Sequence, residues 1–286
     1  MKFSIGIAGA CVLAWASLGV AVAQPSTAEP DRVEISYVAP KATEHQRIFE
    51  LLKERQVLES IKEYLSPLRL PQPLLIKVDE CGGVSNAWYD PNIREILVCY
   101  EYIAEIVRNA PPETTEGITR EDAIVGPTNE VFLHEAAHAI FDLLEIPVLG
   151  REEDAADQLA AFALLQLGPE EARRSIIGIA YMLSLEARAQ TSHHHYFAKA
   201  HGLAAQRFYN LLCMAYGAHP HLFADIAKTA LPDDRAAECG EEYDQVRRAF
   251  HKLIAPHLEA ERQKKMTAKK WLRFHPTPKA PDIQVE

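Results

Sequence analysis

The stretch VFLHEAAHAIFDLL, residues 131–144, carries two histidines four positions apart and a glutamate directly after the first. Helical spacing brings the imidazoles of His134 and His138 to one face, where two nitrogens can hold one zinc ion at about 2.0–2.1 Å each. Glu135 lies about 100° further round, so its carboxylate can reach a water on the metal without itself ligating. Two ligands and a general base make a hydrolytic site. The competing reading is a solvated helix that carries these residues by accident. Val131, Phe132, Leu133, Ala136, Ala137, Ala139, Ile140 and Phe141 argue against it, because they make the segment apolar nearly all round and predict burial. Buried imidazoles and carboxylates need partners, and a metal supplies them.

A third ligand is expected downstream, in GREEDAADQLAAFALLQL. Glu153 and Asp157 stand at i and i+4 on one face of a second helix. Glu153 would complete a His2Glu set and leave a fourth position open for water, with Asp157 or Glu152 as alternative ligands. Asp157 would otherwise accept the free N–H of a ligating histidine and fix its tautomer. An acidic helix start favoured by the macrodipole accounts for Glu152 and Glu153, but not for Asp157 within the apolar period of Leu159, Phe162 and Ala163.

The elements that must hold these residues follow from periodicity. Helices are predicted over 44–65, 100–109, 129–145, 151–167, 170–189, 196–216, 220–230 and 233–259, with Thr128 or Asn129 capping the one that carries the histidines. LLIKVDECGG reads as a strand, and NAWYDPNIREILVCYEYI as a hairpin turning at DPN. A small N-terminal antiparallel β element followed by a helical bulk places the chain in the α+β class. HHHY at 193–196 reads as a solvated loop or helix start.

The rest of the chain bounds the function. Residues 1–23 have the basic start, apolar run and Ala21/Ala23 site of a secretory signal peptide, which predicts a periplasmic or secreted protein with no stable membrane insertion after cleavage. Residues 24–43 read as a flexible lead-in, 44–260 as one domain, and 261–286 as a C-terminal tail, partly disordered. Cleavage removes Lys2 and takes the formal charge from −10 to −11, which disfavours nucleic acid as a partner. Cys81, Cys99, Cys213 and Cys239 remain, an even number in an exported chain; sequence proximity favours Cys81–Cys99 and Cys213–Cys239.

HEAAH followed by EDAAD resembles the gluzincin group of zinc metallopeptidases, whose second helix carries Glu-x-x-x-Asp. The gap from His138 to Glu153 is shorter here than in the thermolysin-like members. NAWYD resembles the edge strand with which those enzymes bind a peptide as an added strand, which implies Asn86 and Ala87 as substrate-binding residues. The same likeness implies that His201, or else Tyr209, stabilises the oxyanion. CGGVSNAWYDPNIREILVCYE, HEAAHAIFDLLEIPVLGREEDAADQ and QRFYNLLCMAYG together resemble a bacterial family classed among metallopeptidases as a domain of unknown function, over about residues 50–255. The resemblance implies a zincin-like fold and a zinc peptidase acting on a peptide or protein. The alternatives are a zincin-like scaffold that binds a peptide or envelope partner without turnover, and a zinc hydrolase of a non-peptide amide such as a cell-wall cross-link.

Overall fold

Alternating apolar residues build a four-stranded sheet. In β2 (Leu74–Asp79) Leu74, Ile76 and Val78 are buried, and in β4 (Glu95–Cys99) so are Ile96 and Val98, so one face enters the core. On the other face Lys77 pairs with Glu95 at 3.0 Å. With β1 (Val33–Tyr37) and β3 (Ala87–Asp90) the order is β1-β2-β4-β3. This computed structural model describes residues 32–259 apart from Glu116 and 191–193; the expected signal segment and the C-terminal tail lie outside the described residues.

The α+β class stands, but the sheet is mixed where an antiparallel element was expected. β1, β2 and β4 run parallel, and only β3 is antiparallel, to β4. The reason lies in the predicted hairpin. β3 takes the outer edge and turns back, so β4 returns in the direction of β2 and their ends meet at Asp79 and Cys99. The Cys81–Cys99 disulfide forms at that shared end. Glu101 secures the following loop, accepting hydrogen bonds from the N–H groups of Cys81 at 3.0 Å and Gly83 at 2.8 Å. A second correction concerns the lead-in, whose residues 33–37 supply β1.

Helices α1 (Thr43–Glu54) and α2 (Val57–Leu65) replace the single first helix, because Gln56 between them takes a left-handed φ of 52°. After α3 (Tyr100–Asn109) comes α4 (Arg120–Leu143), which begins nine residues before the predicted start. Thr119 caps it in a capping box with Asp122. Pro127 lies inside the helix, and Thr128 donates back to the Ile124 carbonyl at 2.7 Å instead of capping. Gly126 is there for contact: a Cβ would stand 2.5 Å from the Ser175 carbonyl oxygen of α6 (Pro169–Ala189). Gly178 of α6 likewise admits the Asp122 carbonyl, so α4 and α6 cross closely.

Around α4 pack α5 (Glu152–Leu165), α6, β3 and β4. The stretch expected as one helix over 196–216 divides into α7 (His194–Phe197) and α8 (Ala204–Ala218), leaving His201 in the connection. α9 (Ala224–Ala230) and α10 (Asp233–Leu253) follow, and Cys213–Cys239 ties α8 to α10.

Candidate functional site

α4 supplies His134 and His138 from its buried middle, and α5 begins directly opposite with Glu152 and Glu153. The break at Pro147–Gly150 makes this possible, since Gly150 takes a φ of 102° and turns the chain back. Three donor atoms converge. Nε2 of His134 stands 3.1 Å from Oε2 of Glu153, Nε2 of His138 3.3 Å from the same oxygen, and the two Nε2 atoms 3.3 Å apart. Donors about 2.0–2.1 Å from a tetrahedral ion are separated by about 3.3 Å, so the triangle has the size such an ion requires.

The outer nitrogens fit the same reading. Nδ1 of His134 donates to Asp157 at 2.8 Å, and Nδ1 of His138 donates to Glu152 at 2.7 Å. A carboxylate only accepts, so with a cation at the shared point each imidazole would carry its proton on Nδ1 and turn the Nε2 lone pair to it; without one, His134 donates from Nε2 to Glu153 as well. Glu152 is therefore a support for His138, not part of the converging set. Burial by itself would lower the His134 pKa, but the hydrogen bonds to Asp157 and Glu153 outweigh it and push it up to about 10. Glu153 is pulled down to about 2, first by its bond to His134. This ring of carboxylates favours positive charge at the triangle, which a proton or a divalent cation satisfies.

Asp157 is in turn gripped by Arg207 of α8, Nε to Oδ2 at 2.7 Å and a terminal nitrogen to Oδ1 at 2.8 Å. The guanidinium also meets Glu130, at 3.5 Å. Glu130, His134 and Asp157 could themselves group round an ion, but Arg207 already supplies that charge. Sequence reasoning left Arg207 and Glu130 without a role at the site. The available signal was a charged pair on two helices whose neighbours are apolar.

The triangle opens on a cleft of about 840 Å³ between β3, α4 and the start of α5. Glu135 lines it, its carboxyl raised above the usual range by burial although both histidines act to lower it; the main-chain N–H of Tyr89 also favours the charged form. Asn86 and Ala87 also line the cleft. The Asn86 carbonyl accepts from the Cys99 N–H at 3.1 Å, so residues 86, 88 and 90 turn their main chain to β4, while Ala87 and Tyr89 turn theirs outward. His201 also reaches the cleft, but its Nε2 lies 2.9 Å from Glu153 Oε2, with its ring stacked on His134. Tyr209 is not brought to the cleft; it is 42% exposed on α8.

The arrangement is a triangle of donor atoms that could hold a metal ion, beside a cleft lined by a further carboxylate. A family model described as "Putative metallopeptidase" matches residues 37–254, more than half of the chain. The chain belongs to this family. Its match runs from the last residue of β1 to just past α10 and so takes in every residue of the site. No curated protein and no solved structure matches. The metallopeptidase family accounts for a peptidase-like function and for a metal; it does not identify the ion.

Proposed function

We propose that this protein is an exported zinc-dependent peptidase in which His134, His138 and Glu153 hold the metal and Glu135 is the general base. The observation that carries the reading is the convergence of three donor atoms within 3.1–3.3 Å of one another, with Glu135 on the wall of the adjoining cleft. Two imidazoles and a carboxylate suit zinc, and three ligands leave a position for water or substrate. When bound, zinc supplies Lewis-acid polarisation of a carbonyl and lowers the pKa of water toward 7.

The chain's own residues do the rest. Asp157 and Glu152 hold the imidazoles in the ligating tautomer, and Arg207 holds Asp157. Glu135 takes a proton from the attacking water and returns it to the leaving amide nitrogen, a task suited to a carboxyl that burial raises above the usual carboxylate range. The outward main chain of Ala87 and the outward carbonyl of Tyr89 let a peptide lie along β3 as an added strand, with Asn86 beside it and the Tyr89 N–H kept for Glu135. His201, which lines the cleft, is the side chain we assign to a developing oxyanion once it releases Glu153. Export is supported by the signal-like residues 1–23 and by two disulfides, which persist in oxidising compartments. No helix among the described residues is long and apolar enough to cross a membrane.

The test is digestion of a peptide library by wild type and by Glu135→Gln, with metal content measured on both. The expected result is about one zinc per chain in each, with cleavage by wild type alone and none in chelator. Wild type without stoichiometric metal, or cleavage that survives chelation, would end this reading. Metal retained with no cleavage of any peptide would favour the binding scaffold.

A further inference from the structure

Tyr89 meets α4 in a way that the ligand triangle does not require. Its hydroxyl donates to Oδ2 of Asp142 at 2.7 Å. Asp142 lies seven residues, or about two turns, beyond Glu135, so both carboxylates share one face of α4. The strand register turns the Tyr89 N–H outward from the sheet, into the cleft that Glu135 lines. One residue of the edge strand thus addresses the helix at two points, by side chain at Asp142 and by main chain toward Glu135. Burial first, and Asp142 second, push the phenol well above its ordinary range, so the hydroxyl keeps its proton and remains the donor.

We infer that Tyr89 is a positioning residue for Glu135: the Tyr89–Asp142 bond locks the edge strand to α4 and so fixes where the base stands relative to a peptide laid along β3. This inference rests on the peptidase reading. β3 has one strand neighbour, β4, and is four residues long, so its own ladder holds it weakly against movement across the cleft. A base displaced by a fraction of an ångström loses rate while substrate binding is little changed.

Tyr89→Phe removes only the hydroxyl. We expect it to keep the zinc content of wild type and a KM within about twofold, with kcat lower by about tenfold. Asp142→Asn, whose amide oxygen still accepts, should retain more activity than Asp142→Ala. Tyr89→Phe combined with Asp142→Ala should be no worse than either change alone, since both break one bond. A wild-type kcat for Tyr89→Phe, additive losses in the double variant, or a loss of zinc parallel to the loss of rate would overturn the inference. A readout independent of turnover is amide hydrogen exchange at Tyr89. The N–H should be protected in wild type and exchange faster in both Glu135→Ala and Tyr89→Phe. Unchanged exchange overturns the positioning role even in an active enzyme. Faster exchange in a protein that cleaves nothing supports the role and counts against the peptidase reading alone.

Discussion

Asp157 accepts a hydrogen bond from Nδ1 of His134 at 2.8 Å, and this one contact decides which nitrogen of the imidazole faces Glu153. Exchanging Asp157 for alanine should leave His134 free to turn or to protonate at the wrong nitrogen. Outer partners of ligating histidines are worth about 10–100-fold in metal affinity. Chelator competition should show a loss of that size for Asp157→Ala, with Arg207→Met in the same direction. Unaltered zinc affinity in both would remove the network from the account of the site.

Glu152 and Glu153 are neighbours in sequence with separate positions. Glu153 Oε2 lies within 3.1–3.3 Å of both Nε2 atoms, whereas Glu152 meets only the outer nitrogen of His138. Metal analysis of Glu153→Ala should find zinc well below stoichiometric, while Glu152→Gln should retain it with weaker affinity. The reverse order would exchange their roles.

The α4–α6 crossing predicts a stability effect far from any chemistry. A methyl group on Gly178 would collide with the Asp122 carbonyl, which is main chain and cannot swing aside. Overpacking of this kind costs about 1–3 kcal/mol. For a domain of this size that is a fall in Tm of roughly 2–4 °C per kcal/mol, readable by calorimetry of Gly178→Ala. A melting temperature at or above wild type would show that the helices can part without cost.

Glu80 gives the acid limb a defined contribution. Its carboxylate accepts from the N–H groups of Lys41 at 2.9 Å and Ala42 at 2.8 Å, just before α1, and is drawn down to about 2. A depressed carboxylate stabilises the fold above its unfolded pKa of about 4.3, and that contribution is lost as pH falls toward 2. Thermal melts of Glu80→Gln should therefore lie below wild type at pH 6 and converge with it near pH 2 (about the folded pKa). A constant difference across that window would mean the carboxylate's charge is not involved.

How far the sequence disclosed the site depended on range. His134, Glu135 and His138 are readable because helical spacing alone sets their relation. Glu153 and Asp157 follow because a helix break and a four-residue interval place them. Arg207 was hidden: it lies 50 residues from Asp157, and no local period connects α8 to α5. The sheet misled for a similar reason. The hairpin was legible from DPN and alternating residues, but strand order is a tertiary choice, and placing β3 outside β4 made the β2–β4 pair parallel. The early start of α4 was masked by Gly126–Pro127, a pair that usually ends helices and here lies within one, where α6 needs close approach.

The brevity of β3 has one more consequence. It presents outward main chain at two positions, Ala87 and Tyr89, before Pro91, which has no N–H to offer. A single extended chain can pair with such an edge for about one repeat of the ladder. Two copies meeting edge to edge gain no more than that, too little to propagate a shared sheet. On the peptidase reading, β3 can therefore stay open to a peptide without inviting polymerisation through that edge.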